Sequence, residues 1–236
     1  MTPPRTAVVT GASRGIGLAV ARRLIGHGMR VAMLARDGDR LRAAAKPLGP
    51  TALALPCDVR DADALSNTIE VVRSQLGAAP DVLVNNAGMF KLATVDTVDP
   101  QEFAEAIETN LIAPFRLVRA FLPEMRERKR GHIVSIGSIA DHAAFPENGA
   151  YAASKFGLRG LHEVLRAELI DSGVRATLIS PGPVNTALWD DVSPDARPGF
   201  SPRSAMLAPD AVAAAVMFAL TQADDVNIDE VRLSRA

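Results

Sequence analysis

A tyrosine and a lysine, Tyr151 and Lys155, lie four positions apart in an amphipathic stretch that predicts a helix over Gly149–Asp171. Residues at this spacing share one face of a helix, so the two side chains are neighbours. An ammonium group beside a phenol stabilises the phenolate and lowers the pKa of the phenol from its usual value of about 10. Tyr151 would then exchange a proton near neutral pH. Taken alone, the pair also fits an exposed helix surface.

A serine supplies a third polar group. Ser138 follows the apolar segment His132–Ile136, which predicts a buried strand. It lies thirteen positions before Tyr151, at the carboxyl end of that strand, where open α/β sheets bind their ligands. The serine hydroxyl therefore favours a catalytic interpretation of the tyrosine and lysine over a surface one.

A glycine-rich segment follows the first predicted strand, Thr6–Thr10, and leads into a predicted helix over Ile16–His27. Glycines allow a strand to turn tightly into a helix and let a phosphate approach the backbone. The unpaired N–H groups at the start of the helix favour a bound anion. A tight turn without a ligand is the alternative that this segment alone leaves open. The residues predicted to bind a dinucleotide here are Gly11, Ser13, Arg14, Gly15, Ile16 and Gly17.

The spacing of these glycines and the order of the motifs after them resemble the short-chain dehydrogenase/reductase family. Three residues separate the first two glycines, and one separates the last two. The later matches are Asn85-Asn86-Ala87-Gly88, Asn110, Ser138, Tyr151-x-x-x-Lys155 and Pro181-Gly182. Together the matches cover the chain from Thr10 to Thr186. The resemblance implies an oxidoreductase that uses a nicotinamide cofactor.

The resemblance implies a catalytic tetrad. Tyr151 would donate a proton to a carbonyl oxygen during reduction and accept one during oxidation. Lys155 would also hold the nicotinamide ribose, and Ser138 would hydrogen-bond the substrate oxygen. Asn110 would support a water that links Lys155 to solvent as a proton relay.

The resemblance also implies cofactor contacts at other strand ends. Asp58 and Val59, after the third predicted strand, correspond to a pair that contacts the adenine. The turn Asn86-Ala87-Gly88 would pass along the adenosine ribose. The residues implied to lie against the nicotinamide, after the sixth strand, are Pro181, Gly182, Val184 and Thr186.

The end of the second predicted strand indicates which dinucleotide is preferred. NAD-binding folds often have an acid here that binds the ribose hydroxyls, but this chain has Ala35. Arg36 follows it and Arg14 lies in the glycine segment, so two guanidinium groups could converge on a 2′-phosphate. NADP(H) is therefore favoured. NAD(H) stays possible, because both arginines could be solvated and Asp37 could reach a ribose.

The substrate contacts are expected in two segments. One follows Ser138, and the other lies in a stretch rich in Pro, Ser, Asp and Gly over residues 185–208, which suggests a lid. Trp189 could close an apolar pocket or only anchor this loop. A single histidine such as His142 is more often surface or packing than catalysis. The expected substrate contacts are Ser138, Ile139, Ala140, His142, Phe145, Leu188 and Trp189.

The elements that must position these residues alternate between short apolar segments and longer amphipathic ones. Strands that are apolar throughout predict a parallel sheet covered on both faces. We therefore expect an α/β fold: a single doubly wound Rossmann-type domain over residues 1–236, with a mostly parallel sheet flanked by helices on both faces. The predicted strands are Thr6–Thr10, Arg30–Ala35, Ala52–Cys57, Val82–Asn85, His132–Ile136, Arg175–Ser180 and Asn227–Leu233. The predicted helices are Ile16–His27, Asp39–Lys46, Ala62–Leu76, Pro100–Arg128, Gly149–Asp171 and Pro209–Gln222.

Composition excludes several other classes of function. A net charge of −1 gives no general attraction to nucleic acid or to anionic membranes. The longest apolar run, Ala211–Leu220, is shorter than the roughly 20 residues of a membrane span. The lone Cys57 cannot form an internal disulfide, which favours the cytoplasm, and the four scattered histidines predict no metal site.

The sequence thus predicts a reductase or dehydrogenase acting on a small-molecule carbonyl or alcohol. A catalytically silent NADP(H)-binding regulatory protein is the alternative. The family resemblance implies a homodimer or homotetramer, paired through the helices around Pro100–Arg128 and Gly149–Asp171. The chain ends Ser234-Arg235-Ala236, without the glycine-rich ending of many relatives, which argues against a tetramer formed through the last strand.

Overall fold

The computed structural model describes residues 5–236 and contains a seven-stranded sheet in which every neighbouring pair is parallel. The strand order is β3-β2-β1-β4-β5-β6-β7. Because β1 and β4 are neighbours, the chain reverses its winding direction between them, which leaves a crevice at their carboxyl ends. The strands are β1 (Thr6–Thr10), β2 (Arg30–Ala35), β3 (Ala52–Pro56), β4 (Val82–Asn85), β5 (Gly131–Ile136), β6 (Val174–Pro181) and β7 (Glu230–Leu233).

Helices cover both faces of the sheet. Successive strand residues point to opposite faces, so Val9 joins one apolar cluster, with α1 and α7, and Val8 joins the other, with α3 and α5. The helices are α1 (Gly15–Gly26), α2 (Gly38–Ala45), α3 (Ala62–Leu76), α4 (Pro100–Ile107), α5 (Ala113–Glu127), α6 (Gly149–Glu168) and α7 (Pro209–Leu220). The predicted doubly wound α/β fold is confirmed.

The predicted helix Pro100–Arg128 is wrong in one respect, because a π-helical segment, Glu108–Ile112, divides it into α4 and α5. A π segment inserts an extra residue into a helix, and such insertions are frequent at functional sites. Here it contains Asn110, whose side chain donates hydrogen bonds to the Met89 carbonyl at 3.0 Å and to the Ser154 hydroxyl at 2.9 Å.

Two other boundaries differ for local reasons. The last strand begins at Glu230 rather than Asn227, because the Asn227 side chain bonds both backbone groups of Ala176, at 3.1 and 3.0 Å, in place of a strand partner. Helix α6 ends at Glu168, three residues before the predicted end, and Asp171 turns the chain with a φ of +60°. Within residues 5–236, the longest helices are too short or too polar to cross a bilayer.

The segment 185–208 after β6 contains only three short 3-10 helices, Ala187–Trp189, Pro194–Ala196 and Arg203–Ala205. Arg203 organises it by donating to the carbonyl of Thr186 at 3.1 Å and to the carboxylate of Asp190 at 2.6 Å. The loop therefore has a defined path across the carboxyl edge of the sheet.

Candidate active site

A cleft of about 1160 Å³ runs along the carboxyl edge of the sheet. Sites for one small molecule have volumes of roughly 300–1,000 Å³, so this cleft has room for a dinucleotide and a substrate together. Nearly all of the site residues that the sequence predicts line it. The exceptions are Gly17, Asn110 and His142.

The glycine segment forms one wall of the cleft. Gly11 has a φ of +66°, and a Cβ there would lie 2.9 Å from the Cα of Ala87. Helix α1 begins at Gly15 with no side-chain cap and no acid in its first turn. Its first N–H groups are therefore free to bind an anion. The pyrophosphate of a dinucleotide could approach this backbone closely, because the glycines place no side chains in its way.

Gly17 does not line the cleft, although the sequence predicted it among the residues that bind the dinucleotide. A Cβ at this position would lie 2.4 Å from the carbonyl oxygen of Gly11 and 2.5 Å from the Asn86 amide nitrogen. Gly17 is buried beneath the turn and does not reach the cleft. It allows the helix to pack against the turn, and its expected contact with the cofactor is replaced by this packing role.

Asn86 fixes the turn after β4 to the end of β1. Its side-chain amide donates to the Thr10 carbonyl at 2.8 Å, and the Ala87 N–H donates to the Thr10 hydroxyl at 2.9 Å. These bonds hold Asn86-Ala87-Gly88 beside the glycine segment. The turn is therefore rigid where the resemblance implies that a ribose passes.

The loops after β1, β2 and β3 form the end of the cleft where the family resemblance implies the adenosine of a cofactor, and this end is called the adenosine end. It carries two arginines, Arg14 and Arg36, that make no ion pair with any described residue. Both are exposed. Asp37 instead accepts a hydrogen bond from the Arg40 N–H at 3.0 Å and caps α2. Asp58 is bound by the Arg60 guanidinium at 2.8 Å, which lowers its pKa.

The tyrosine and lysine of α6 meet Ser138 at the middle of the cleft. The Lys155 ammonium lies 5.6 Å from the centre of the Tyr151 ring and donates to the Ile136 carbonyl at 2.7 Å. The Tyr151 phenol lies near Ser138 in the same cleft, close enough for Ser138 to lower its pKa. The structure therefore brings together Ser138, from the loop after β5, and two residues from successive turns of α6.

The expectation of a lowered tyrosine pKa is wrong for this structure. Burial raises the pKa of Tyr151 to about 12, although Ser138 acts to lower it. Burial also lowers the pKa of Lys155 to about 8. The cost of removing a phenolate from water outweighs the effect of Ser138, and the Lys155 ammonium is bound to a backbone carbonyl instead. At neutral pH the phenol is protonated, which is the form that can act as an acid.

Asn110 is buried behind the cleft and does not contact Lys155 directly. Its Oδ1 accepts from the Met89 N–H at 2.9 Å, while its Nδ2 bonds Met89 and Ser154. Ser154 in turn donates to the carbonyl of Tyr151 at 2.7 Å. Asn110 thus ties the π segment to the loop after β4 and to the first turn of α6.

An aspartate that the sequence analysis missed holds Ser138 in place. The buried Asp141 accepts from the Ser138 N–H at 3.0 Å and from the Ser180 hydroxyl at 2.7 Å. Gly137 leaves room for it, because a Cβ there would lie 2.3 Å from the carboxylate. The signal was present, since Ser138 and Asp141 form a capping box around a short 3-10 helix.

His142 does not contact the substrate region, which corrects its expected role. Its Nε2 lies 2.6 Å from the Glu230 carboxylate and 2.5 Å from the Arg159 guanidinium, and Arg232 lies 3.1 Å from its Nδ1. This charged cluster joins the loop after β5 to strand β7. The histidine is therefore held outside the cleft by Glu230, Arg159 and Arg232.

Comparisons with known proteins agree with the geometry. The sequence profile of short chain dehydrogenases matches residues 5–197. An uncharacterized oxidoreductase of Staphylococcus saprophyticus is 32% identical over 231 residues, covering 96% of this chain and 95% of the relative. One from Staphylococcus aureus is 31% identical over 228 residues, covering 96% and 95%.

Solved structures of the same kind cover almost the whole chain. A metagenomic short-chain oxidoreductase in complex with NADP is 38% identical, with a TM-score of 0.84 and coverage of 98% of this chain and 97% of that one. An alcohol dehydrogenase from the archaeon Thermococcus sibiricus, complexed with 5-hydroxy-NADP, is 31% identical, with a TM-score of 0.87 and the same coverage. The chain belongs to the short-chain dehydrogenase family.

Proposed function

We propose that the protein transfers hydride reversibly between NADP(H) and a small-molecule carbonyl or alcohol, with Tyr151 as the acid and base. The observation that carries this proposal is that Ser138, Tyr151 and Lys155 line the same cleft as the glycine segment. A merely regulatory NADP(H)-binding protein, the other candidate from the sequence, would need the glycine segment but not these three groups.

Each of these side chains has a defined task. The Tyr151 hydroxyl, with its pKa near 12, is protonated at neutral pH and donates to the carbonyl oxygen in reduction. The Ser138 hydroxyl binds the same oxygen and orients it. Lys155 holds the ribose hydroxyls and replaces the proton that Tyr151 gives up, along the route that Asn110 supports. When bound, NADPH supplies the hydride.

The preference for NADP(H) rests on charge. Arg14 and Arg36 are available for a 2′-phosphate, and Ala35 stands where an acid would repel one. Asp37, the residue that could favour NAD(H), is used as the cap of α2. The two solved relatives described above, which are bound to NADP or a derivative of it, support the same preference.

Purified protein tests the proposal directly. We expect NADPH absorbance to fall with a panel of aldehydes and ketones, and Tyr151→Phe to lower kcat by about 10²–10⁴-fold, the usual contribution of a general acid. NADPH should bind the variant as it binds the wild type. Binding of NADPH without turnover of any carbonyl by the wild type would favour the regulatory alternative.

The apolar surfaces of α5 and α6 support the homo-oligomer that the family resemblance implies. Phe115 on α5 and both Phe156 and Val164 on α6 are exposed large apolar side chains. Contiguous exposed apolar surface is typical of a contact between proteins. A dimer in light scattering, converted to monomer by Val164→Glu, is the expected result.

A further inference from the structure

The part of the cleft lined by the loops after β4, β5 and β6, here called the substrate end, holds an unusual share of the aromatic residues of the chain. The chain has eight phenylalanines, one tryptophan and one tyrosine, and five of these ten side chains line the cleft. Aromatic residues make up only 4% of the sequence, so abundance does not explain the grouping. The five are Phe90, Phe145, Tyr151, Trp189 and Phe200.

Four of these rings form a continuous row that begins at the catalytic phenol. The Phe90 ring meets the Tyr151 ring edge to face, with centres 5.0 Å apart, and Trp189 meets Phe90 in the same way at 5.0 Å. Phe200 extends the row into the lid, 6.2 Å from Trp189. Edge-to-face contacts at these distances are favourable. A substrate whose oxygen bonds Tyr151 therefore lies beside this aromatic row.

A second apolar surface comes from the loop that follows Ser138. Ile139 and Phe145 line the cleft and are 44% and 45% exposed. Apolar surface in contact with water gains free energy when an apolar ligand covers it. These side chains therefore favour a ligand with an apolar group, and Ile139 directly follows the serine that is proposed to bind the reacting oxygen.

The charged side chains on the same loops do not offer a site for an anion. Lys91, next to Phe90, is paired with Glu102, and Glu147, on the loop of Phe145, is paired with Arg197. Among the charged residues of these loops that line the cleft, Asp191, in the lid, alone makes no ion pair within residues 5–236, and its negative charge disfavours a carboxylate or phosphate on the substrate.

We infer that the substrate is an uncharged ketone, aldehyde or alcohol that carries an aryl group or an apolar group of similar bulk. The inference rests on the proposed function, because it assigns the substituents of the same carbonyl that Tyr151 protonates. Phe90, Trp189 and Phe200 contact the bulky group. Ile139 and Phe145 cover its other exposed surface.

A matched set of three ketones tests the inference. Acetophenone, acetone and pyruvate share a methyl ketone and differ in carrying an aryl group, a second methyl group or a carboxylate. We expect kcat/KM with NADPH to be on the order of 100-fold higher for acetophenone than for the other two. A kcat/KM for acetone or pyruvate that equals or exceeds that of acetophenone overturns the inference and leaves the proposed function intact.

Phe200 and Phe218 provide a matched pair of variants. Phe200→Ala should lower the ratio of kcat/KM for acetophenone over acetone by about 10-fold, and Phe200→Leu should lower it less. Phe218→Ala is the control, because this side chain is 53% exposed on α7 and does not line the cleft. A ratio that stays constant in folded Phe200→Leu and Phe200→Ala contradicts the inference.

Binding separates failure of the inference from failure of the proposed function. Trp189 is the only tryptophan in the chain, so intrinsic fluorescence reports on this pocket even without turnover. With NADP⁺ present, 1-phenylethanol should change the emission at concentrations at least about 10-fold lower than 2-propanol or lactate do. If no ketone is turned over, the proposed function fails, and this titration alone decides the inference: equal affinities overturn it.

Discussion

At the adenosine end of the cleft, the proposed cofactor contacts come from the backbone of one glycine segment and from Arg14 and Arg36, which make no ion pair within residues 5–236. At the substrate end it comes from side chains on three separate loops, after β4, β5 and β6. The first arrangement tolerates almost no change in backbone shape. The second tolerates changes of side chain, and these alter which substrate fits. Under the proposed function, one end therefore sets which cofactor binds, and the other sets which substrate reacts.

Adding a methyl group to Gly17 should have the largest effect on the adenosine end. A Cβ there would lie 2.4 Å from the Gly11 carbonyl oxygen, and neither backbone can move freely. We expect Gly17→Ala to lower the free energy of unfolding by about 1–3 kcal/mol and to abolish NADPH binding. Thermal unfolding and a fluorescence titration with NADPH measure the two effects.

Gly26 provides the control for this variant. It lies in the same helix, and a Cβ there would meet nothing within 4 Å. Gly26→Ala should stabilise the protein by up to about 1 kcal/mol and leave NADPH binding unchanged. If Gly17→Ala and Gly26→Ala have the same effects on stability and NADPH binding, the close packing at Gly17 does not shape the adenosine end.

Removing a charge from the same end should have an intermediate effect. Arg36→Gln deletes a charged partner of the 2′-phosphate but not of the NADH ribose. We therefore expect the preference for NADPH over NADH, measured as the ratio of kcat/KM values, to fall by about 10- to 100-fold. Arg22→Gln, in an exposed arginine that does not line the cleft, should leave the ratio unchanged. An unchanged ratio in Arg36→Gln would remove the basis for the predicted cofactor preference.

The smallest effect is expected from Asp141, which holds Ser138 at the middle of the cleft. Burial is the main reason that the pKa of Tyr151 is raised, and the charge of Asp141 raises it further. Alcohol oxidation needs the phenolate, so its rate rises as pH increases through the pKa of Tyr151. Asp141→Asn should therefore move the midpoint of this rise to lower pH.

The matched control is Asp39→Asn, because the Asp39 side chain is 96% exposed and pairs only with Arg42. Its pH profile should coincide with that of the wild type. A midpoint that stays in place or moves to higher pH in Asp141→Asn would show that Asp141 acts on Ser138 only through its hydrogen bonds.

The sequence could place most residues of the adenosine end in one cleft, since many of them are neighbours with a fixed spacing, whereas their contact with a cofactor stays a prediction. The cleft is lined by Gly11, Ser13, Arg14, Gly15 and Arg36. The substrate end was predicted in part. Phe90 and Phe200 were missed, because nothing in the local sequence shows that the loop after β4 meets the loop that contains Trp189 and Phe200.

Long-range contacts also explain the wrong predictions. His142 was expected in the substrate pocket, but Glu230 and Arg159, distant in sequence, hold it elsewhere. The pKa of Tyr151 was expected to fall because of Lys155, yet burial, which depends on the whole fold, raises it. Local spacing predicted which groups are neighbours, whereas it could not predict how much water surrounds them.

Isotope transfer tests the central claim, that one cleft joins the cofactor to the tetrad for hydride transfer. The wild type is given acetophenone and NADPH carrying deuterium at the transferred position of the nicotinamide. Mass spectrometry should detect one deuterium on the carbinol carbon of 1-phenylethanol, and Tyr151→Phe should form almost none while still binding NADPH. Alcohol formed without deuterium, or formed equally well by Tyr151→Phe, would contradict the account.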